Sequence, residues 1–485
     1  MNGTFVQMSQ ADWLSILPEV ALATTGCVIL LLEAFAPGLR RWFATLALAG
    51  VAASLYFLLA APQGTTFDGR FETSGLTALM GLFLGGSAAV AILVAKPYLE
   101  RTHDEKGEFY ALLLWGHLGV SLMVRGLDLL IVFIGLEVLS LSFYVLAAYF
   151  RGIEASSEAG LKYFLTGAFA SAFTLYGIVL LFGASGGTRI AGLAQEGLAG
   201  RPAVILGVLL LLVGFGFKMS LAPFHAWAPD VYQGMPTPAV LYLSIAPKGA
   251  SVLVLFRVLA AIFQPELPDR FHAAVAALAV LSMTLGNVVA LAQRDAKRLL
   301  AYSGIAHMGY VTIALAVFGR EALAAAIVYF FAYLVSNAGA FAAVSALYRD
   351  ESKPHPVAML AGEGRRARFA AGVFALCLFS LAGIPATAGF IGKFFVFKAA
   401  LERGMYALAI IGVLNSLVSI GYYLKVVYIL YMRDPIEAEA PPPLAFADRL
   451  ALAICAAGIF VVGIFPASLW NLARSAAATL PLPGP

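Results

Sequence analysis

Five ionisable side chains sit in stretches of the chain that are otherwise apolar. Glu137 lies within LLIVFIGLEVLSLSFYVL and is the only carboxylate near the middle of a long apolar run. Lys218 ends a run that begins near Val204, and Lys248 lies inside one that continues to about Ile262. His307 stands in LLAYSGIAHMGY and Lys393 in GIPATAGFIGKFFVF. A bare ammonium at mid-membrane costs roughly 2.5–3.5 kcal/mol on insertion scales, so ionisable groups held there mark ion or proton pathways. A carboxylate and an ammonium sharing hydrocarbon have two nearly balanced charge states, which moving one charge can switch. Glu137 with Lys218 is the natural pair of this kind. Lys248, His307 and Lys393 read as further relay groups, and His225 and Lys162 as additional relay candidates. Each has a structural alternative: a protonated Glu137 bonded to a neighbouring helix, a static Glu137–Lys218 pair, snorkelling of Lys248 and Lys393, capping by His225, or pairing of Lys162 with Glu158.

The elements that position these groups are interrupted helices. The segment FKMSLAPFHAWAPDVYQGMPTPAVLYLSIAPKGA, residues 217–250, carries Pro223 and Pro229 between two apolar runs, and Pro385 divides a later run. Broken helices within a bilayer occur where the freed backbone lines a cavity or packs against protein. Asp230 reads as an anchor for the end of the half-helix. Arg257, Lys398 and Lys425 lie nearer helix ends, where long basic side chains snorkel.

Composition excludes other classes. Of 485 residues, 61% are hydrophobic and 12% charged, and the mean hydropathy is +0.89. Soluble proteins carry about 25% charged residues, so the chain is a polytopic membrane protein. A net charge of +4 spread through loops gives no support for nucleic-acid binding. Cys27, Cys377 and Cys455 are isolated, and the six histidines form no ligand pair. No metal site or redox cofactor is expected in the chain. GASGG at 183–187 reads as a loop. The N-terminus lacks a basic leader and carries Asp12 and Glu19, so the first span is expected to be a retained anchor.

Runs of about 20 apolar residues cross a bilayer, and fourteen are predicted, centred near residues 24, 51, 85, 116, 139, 171, 211, 249, 281, 307, 334, 385, 419 and 459. Loop lysines and arginines divide sixteen to eight between the two sides. The positive-inside rule then puts both termini on the outer, periplasmic face of a bacterial inner membrane.

Two five-span blocks align. SLAP at 220–223 matches SLAGIP at 380–385, Ser251-x5-Arg257-Val258 matches Ser419-x5-Lys425-Val426, and Glu137 and His307 follow Leu-Leu pairs at equal spacing. An offset of five spans inverts one copy relative to the other, a transporter signature. The predicted fold is all-α, with two inverted five-helix repeats, each containing a broken helix. Residues 1–104 form an N-terminal three-helix segment, 105–265 the first repeat, 266–435 the second, and 436–485 a C-terminal transmembrane helix.

Residues 105–430, through the 217–250, 299–310 and 383–397 motifs, resemble the antiporter-like subunits of respiratory complex I, nearest to the N-type members. The resemblance implies an input pair of Glu137 and Lys218, central relays Lys248 and His307, and an outlet at Lys393, with His225 matching a histidine of the same motif. It implies a place in a proton-translocating membrane arm beside subunits of A, H, J, K, L and M type. NADH, FMN, iron–sulfur clusters and quinone would belong to partner subunits. The alternatives are an Mrp-type cation/proton antiporter subunit and a hydrogenase- or ferredoxin-linked relative of the same complex. A quinone-binding redox subunit lacks a recognisable headgroup pocket here.

Overall fold

The computed structural model describes residues 9–263, 267–348, 354–436 and 443–483. Readings that fall on residues 1–8, on Arg349 and Lys353 of the orientation count, and on the 265/266 boundary lie outside the described residues. The helices are α1 Gln10–Phe35, α2 Phe43–Ala60, α3 Gly75–Thr102, α4 Gly107–Arg125, α5 Leu129–Ala147, α6 Glu154–Ser185 and α7 Pro202–Met219. They continue with α8 Trp227–Gly234, α9 Thr237–Leu243, α10 Ala246–Ile262, α11 Asp269–Ala292, α12 Ala296–Val317 and α13 Arg320–Leu347. The last are α14 Glu363–Arg366, α15 Arg368–Ala382, α16 Ala388–Glu402, α17 Tyr406–Met432, α18 Phe446–Ile464 and α19 Pro466–Ala477.

Among the described residues, thirteen helical stretches, counting α9 and α10 as one, are long and apolar enough to cross a membrane. Fourteen runs were expected, and the one centred near residue 385 is not among the thirteen. It is divided into α15 and α16, each 15 residues long and too short to span alone. The protein is thus an all-helical, multi-pass membrane protein.

The interruptions have local causes. Helix α7 ends with Ser220 in the left-handed region (φ 59), and the Leu221 N–H returns to the Gly216 carbonyl at 2.8 Å. Helix α15 ends the same way on Gly383 (φ 88), with the Ile384 N–H on the Phe379 carbonyl at 3.1 Å. Both are helix-terminating turns, and Pro223 and Pro385 follow where a helix cannot continue. They fall where the SLAP and SLAGIP segments align. A third break, between α9 and α10, lies at Ser244 and Ile245, just before Pro247, which has no N–H to extend the ladder.

Tight crossings hold the framework. On α4 and α5, a methyl at Gly119 would lie 2.4 Å from the Gly135 carbonyl oxygen, and one at Gly135 would lie 2.5 Å from that of Gly119. Backbone therefore meets backbone, as small residues allow between membrane helices. Helices α11 and α12 are packed in the same manner at Gly286, where a methyl would lie 2.6 Å from the Ala306 nitrogen.

Four sequence readings are corrected. Arg257 does not snorkel: it is buried, donating to Glu72 and to the Val124 carbonyl. Glu72 reaches it from a small hairpin, β1 Gly64–Thr66 and β2 Phe71–Thr73, too short to leave a sequence signal. Arg125, counted as a loop residue, is the buried last residue of α4 and pairs with Glu19 of α1 at 2.6 Å. Helix α6 runs through Ser185, so the GASGG loop begins only at Gly186. The C-terminal segment contains a second, amphipathic helix, α19, whose Trp470 stacks on Phe395 of α16 with ring centroids 4.0 Å apart.

The Glu19–Arg125 pair is completed by Ser121 donating to Glu19 (2.7 Å) and Arg125 donating to the Ser15 carbonyl (2.6 Å). Removing one member of such a buried pair costs about 3–5 kcal/mol, because the other charge is left uncompensated. Glu19→Ala is therefore expected to lower the thermal unfolding midpoint in detergent. The double change Glu19→Leu with Arg125→Leu is expected to recover a large part of the loss. An unchanged midpoint in the single variant would show that the pair bears no structural load.

Candidate functional site

Of the predicted site residues, Lys218, Lys248, His307 and Lys393 are buried in the interior of the bundle, Glu137 and His225 are half-buried, and Lys162 is partly exposed. Lys218 lies in the last turn of α7, where the carbonyl end of a half-helix favours a cation. It is 3% exposed. Its ammonium stands 5.3 Å from the Tyr163 ring centroid and 5.6 Å from those of Tyr144 and Phe217, an aromatic enclosure that attracts a cation.

Glu137 is not in direct contact with Lys218, which corrects the simple ion-pair expectation. Lys218 Nζ donates to Ser140 Oγ at 2.7 Å, and Ser140 in turn donates to the Leu136 carbonyl. The half-buried Glu137 accepts from Ser171 Oγ of α6 at 2.5 Å. The carboxylate remains within electrostatic reach of the ammonium. Ser140 lies one turn along α5 from Glu137, so the two share a face. Glu137 thus bonds to Ser171 of α6 while the ammonium bonds to Ser140.

Lys162 lies elsewhere. It is 43% exposed at the side chain and pairs with Glu158 and with Asp230, each at 2.6 Å. Asp230, in the first turn of α8, also holds Arg298 of α12 at 2.5 Å. The triad ties the half-helix α8 to both blocks of the protein, in keeping with an anchoring role for Asp230. These charges line a cavity of about 350 Å³. His225 stands in the break between α7 and α8, half-buried, with Nδ1 free of any protein hydrogen bond among the described residues.

An aromatic stack leads from the Lys218 enclosure to Lys248. Trp227 stacks on Tyr163 (4.6 Å) and Phe217 (5.1 Å) and meets Tyr232 edge-on at 6.1 Å. Lys248 Nζ lies 5.9 Å from the Tyr232 ring centroid. Lys248, 1% exposed on the first turn of α10, has no protein hydrogen-bond partner for its ammonium among the described residues, and neither does the Tyr333 hydroxyl. Both face Gly304, where an added methyl would lie 3.3 Å from Nζ and 3.0 Å from the hydroxyl.

One turn further along α12, His307 Nδ1 is 2.6 Å from the Tyr329 hydroxyl and Nε2 is 3.2 Å from that of Tyr423. Tyr423 is also bonded to Ser303. His307 lies within electrostatic reach of both Lys248 and Lys393. A small cavity of about 10 Å³, lined by His307, Ser336 and Leu381, separates it from the second break.

Lys393 is 4% exposed on α16 and reaches back across that break. Its ammonium donates to the Leu381 and Ala382 carbonyls (3.0 and 2.9 Å) and to Ser416 Oγ (2.8 Å), and lies 4.9 Å from the Tyr310 ring centroid. It thus occupies the negative end of half-helix α15. Helices α7 and α15 each carry a buried ammonium at the carbonyl end, supplied within the helix by Lys218 and across space by Lys393.

Sequence reasoning missed the hydroxyl groups that complete the site: Ser140, Ser171, Tyr329, Tyr423 and Ser416. For Ser140 the spacing from Glu137 was a usable signal. The others come from helices distant in sequence, and serine and tyrosine are too common in these spans to single out.

A family model described as NADH:quinone oxidoreductase/Mrp antiporter, TM, matches residues 126–419. NADH-quinone oxidoreductase subunit N of Trichlorobacter lovleyi is 38% identical, with 95% of this chain and 96% of the relative covered. The subunit N of Paramagnetospirillum magneticum is 37% identical over 97% and 98%. Among solved structures, a chain of respiratory complex I from Thermus thermophilus with bound aureothin is 35% identical, with TM-score 0.81, covering 94% of this chain and 99% of that one. A chain of the Mrp complex from Dietzia sp. DQ12-45-1b shares the fold, with TM-score 0.86 at 21% identity, covering 98% of each. The chain belongs to the NADH:quinone oxidoreductase/Mrp antiporter family, among the members named NADH-quinone oxidoreductase subunit N.

Proposed function

We propose that the chain is a proton-translocating membrane-arm subunit of an NADH–quinone oxidoreductase. Electron transfer takes place in partner subunits that hold FMN, iron–sulfur clusters and quinone. In this reading Glu137 and Lys218 form the input pair, with Ser140 between them. Lys248 and His307 pass protons through the centre, and Lys393 is the outlet. His225 is an additional relay at the first break, and Lys162 acts on the input side through Asp230. Both termini face the periplasm of a bacterial inner membrane.

The observation that supports the proposal is the succession of buried titratable groups, Lys218, Lys248, His307 and Lys393, between one half-helix end and the other. Lys248 Nζ and the Tyr333 hydroxyl, buried without a hydrogen-bond partner among the described residues, are groups that internal water would serve. The space beside His307 is near the least that holds a single water. Copurification tests the assembly: affinity capture of the tagged chain is expected to bring down a peripheral NADH dehydrogenase arm. Recovery of cation-antiporter subunits alone would overturn it.

Coupling within the input pair gives a second test. Glu137→Gln is expected to impair proton uptake by membrane vesicles about as much as Lys218→Ala. The double variant is expected to lose little more than either single one, because groups acting as one switch are non-additive. Losses that multiply would separate the two residues.

A further inference from the structure

The break between α9 and α10 ties α13 to the start of α10. Ser244 stands in the break, and the Asn337 amide of α13 donates to Ser244 Oγ at 2.7 Å. Lys248 lies four residues after Ser244, and Tyr333 four residues before Asn337 on α13. The bond thus pins the two elements close to the point where Tyr333 approaches Lys248. Gly304 of α12 completes that meeting. A Cβ there would lie 3.3 Å from Lys248 Nζ and 3.0 Å from the Tyr333 hydroxyl oxygen.

The chemistry of the meeting point is specific. An ammonium has three protons to donate, whereas a phenol both donates and accepts. Both residues are buried, and neither head group has a hydrogen-bond partner among the described residues. A position 3.3 and 3.0 Å from two such atoms suits a water oxygen, which needs two to four polar partners. Any side chain at residue 304 would take that position, and glycine leaves it to solvent. Tyr333 also borders the next group. With His307 and Tyr329 it lines the cavity of about 10 Å³, and its ring centroid is 5.1 Å from that of His307.

We infer that Tyr333 carries the proton from Lys248 toward His307 through a water for which Gly304 makes room. The inference rests on the proposed relay roles of Lys248 and His307. In the step, one Lys248 N–H bond breaks and its proton joins the water. The water gives a proton of its own to the Tyr333 oxygen. The Tyr333 hydroxyl releases its hydrogen into the cavity it shares with Tyr329, whose hydroxyl is bonded to His307 Nδ1. Lys248 loses one proton and His307 gains one, while the water and both tyrosines end as they began.

The test uses the assembled complex in membrane vesicles. Tyr333→Phe removes only a buried hydroxyl that has no partner among the described residues, a change that packing alone would leave neutral or stabilising. It is expected to cut NADH-driven proton uptake about tenfold, the least that losing one hydrogen bond to a charged group implies, with an unfolding midpoint unchanged or raised. Gly304→Ala presses only on the far ends of two flexible side chains, so it is expected to assemble and to lose uptake to the same extent. Gly304→Ser is larger but supplies a hydroxyl of its own, and is expected to pump better than the alanine variant. Normal uptake in Tyr333→Phe, or a serine variant no better than alanine, would overturn the inference. Lys248→Ala separates this link from the wider reading. If it stops uptake while Tyr333→Phe and Gly304→Ala pump normally, only the link is wrong. If Lys248→Ala itself pumps normally, the relay role of Lys248 falls and this inference falls with it.

Discussion

Replacing Lys218 with alanine is expected to cut NADH-driven proton uptake by vesicles about a hundredfold, the consequence of a barrier raised by roughly 2.7 kcal/mol. The expectation rests on position. Lys218 is the buried cation at the carbonyl end of α7, and its ammonium donates to Ser140, one turn along α5 from Glu137. Without the ammonium, Glu137 keeps its Ser171 bond, and in the proposed pathway it loses the partner with which it would exchange charge. Alanine also empties part of an aromatic enclosure, so a packing defect must be separated from the loss of charge. Lys218→Met retains most of the stem volume without a titratable head and is expected to be as inactive as Lys218→Ala. Lys218→Arg keeps a cation near Tyr144 and Tyr163, but guanidinium does not give up its proton, so it is expected to rescue poorly. Normal uptake in the methionine variant would remove Lys218 from the pathway.

The sequence was most informative where physical cost was highest. An ammonium in hydrocarbon is expensive wherever the fold places it, so Lys218, Lys248 and Lys393 stood out before any geometry was known, and all three are buried. Helix breaks were equally legible, because proline and the left-handed turns at Ser220 and Gly383 act locally. Contacts made across the fold were not. Nothing near Arg257 in the chain announces Glu72, which arrives on a hairpin 185 residues earlier. Nothing near Glu137 indicates that Ser171 would take its oxygen, or that Lys218 would turn to Ser140 instead. Lys162 shows the intermediate case. Its local partner Glu158 was readable from one-turn spacing, whereas Asp230 and Arg298, which complete the triad, come from other helices.

Lys393 offers the sharpest separation of proton release from structural support, because the structure gives it both tasks. Its ammonium donates to the two last carbonyls of α15; alanine would remove that donor from both, leaving Ala382 only its 3.4 Å bond from Ser416 Oγ. A loss of pumping in Lys393→Ala would therefore be consistent with a collapsed half-helix as well as with a missing outlet. Arginine resolves the ambiguity: it can still donate to Leu381 and Ala382 but cannot release a proton. If Lys393 is the outlet, Lys393→Arg is expected to assemble and unfold at the normal temperature, yet pump no better than Lys393→Ala. Lys393→Glu is expected to keep partial activity, since a protonated carboxyl can donate to one carbonyl and still give up its proton. The driving force is adequate for such a step, because moving one charge across 100 mV is worth about 2.3 kcal/mol. Proton translocation in reconstituted vesicles, measured beside the unfolding midpoint for the three variants, distinguishes the cases. Full pumping with arginine at 393 would mean that the residue serves only to hold the broken helix, and that protons leave by another group.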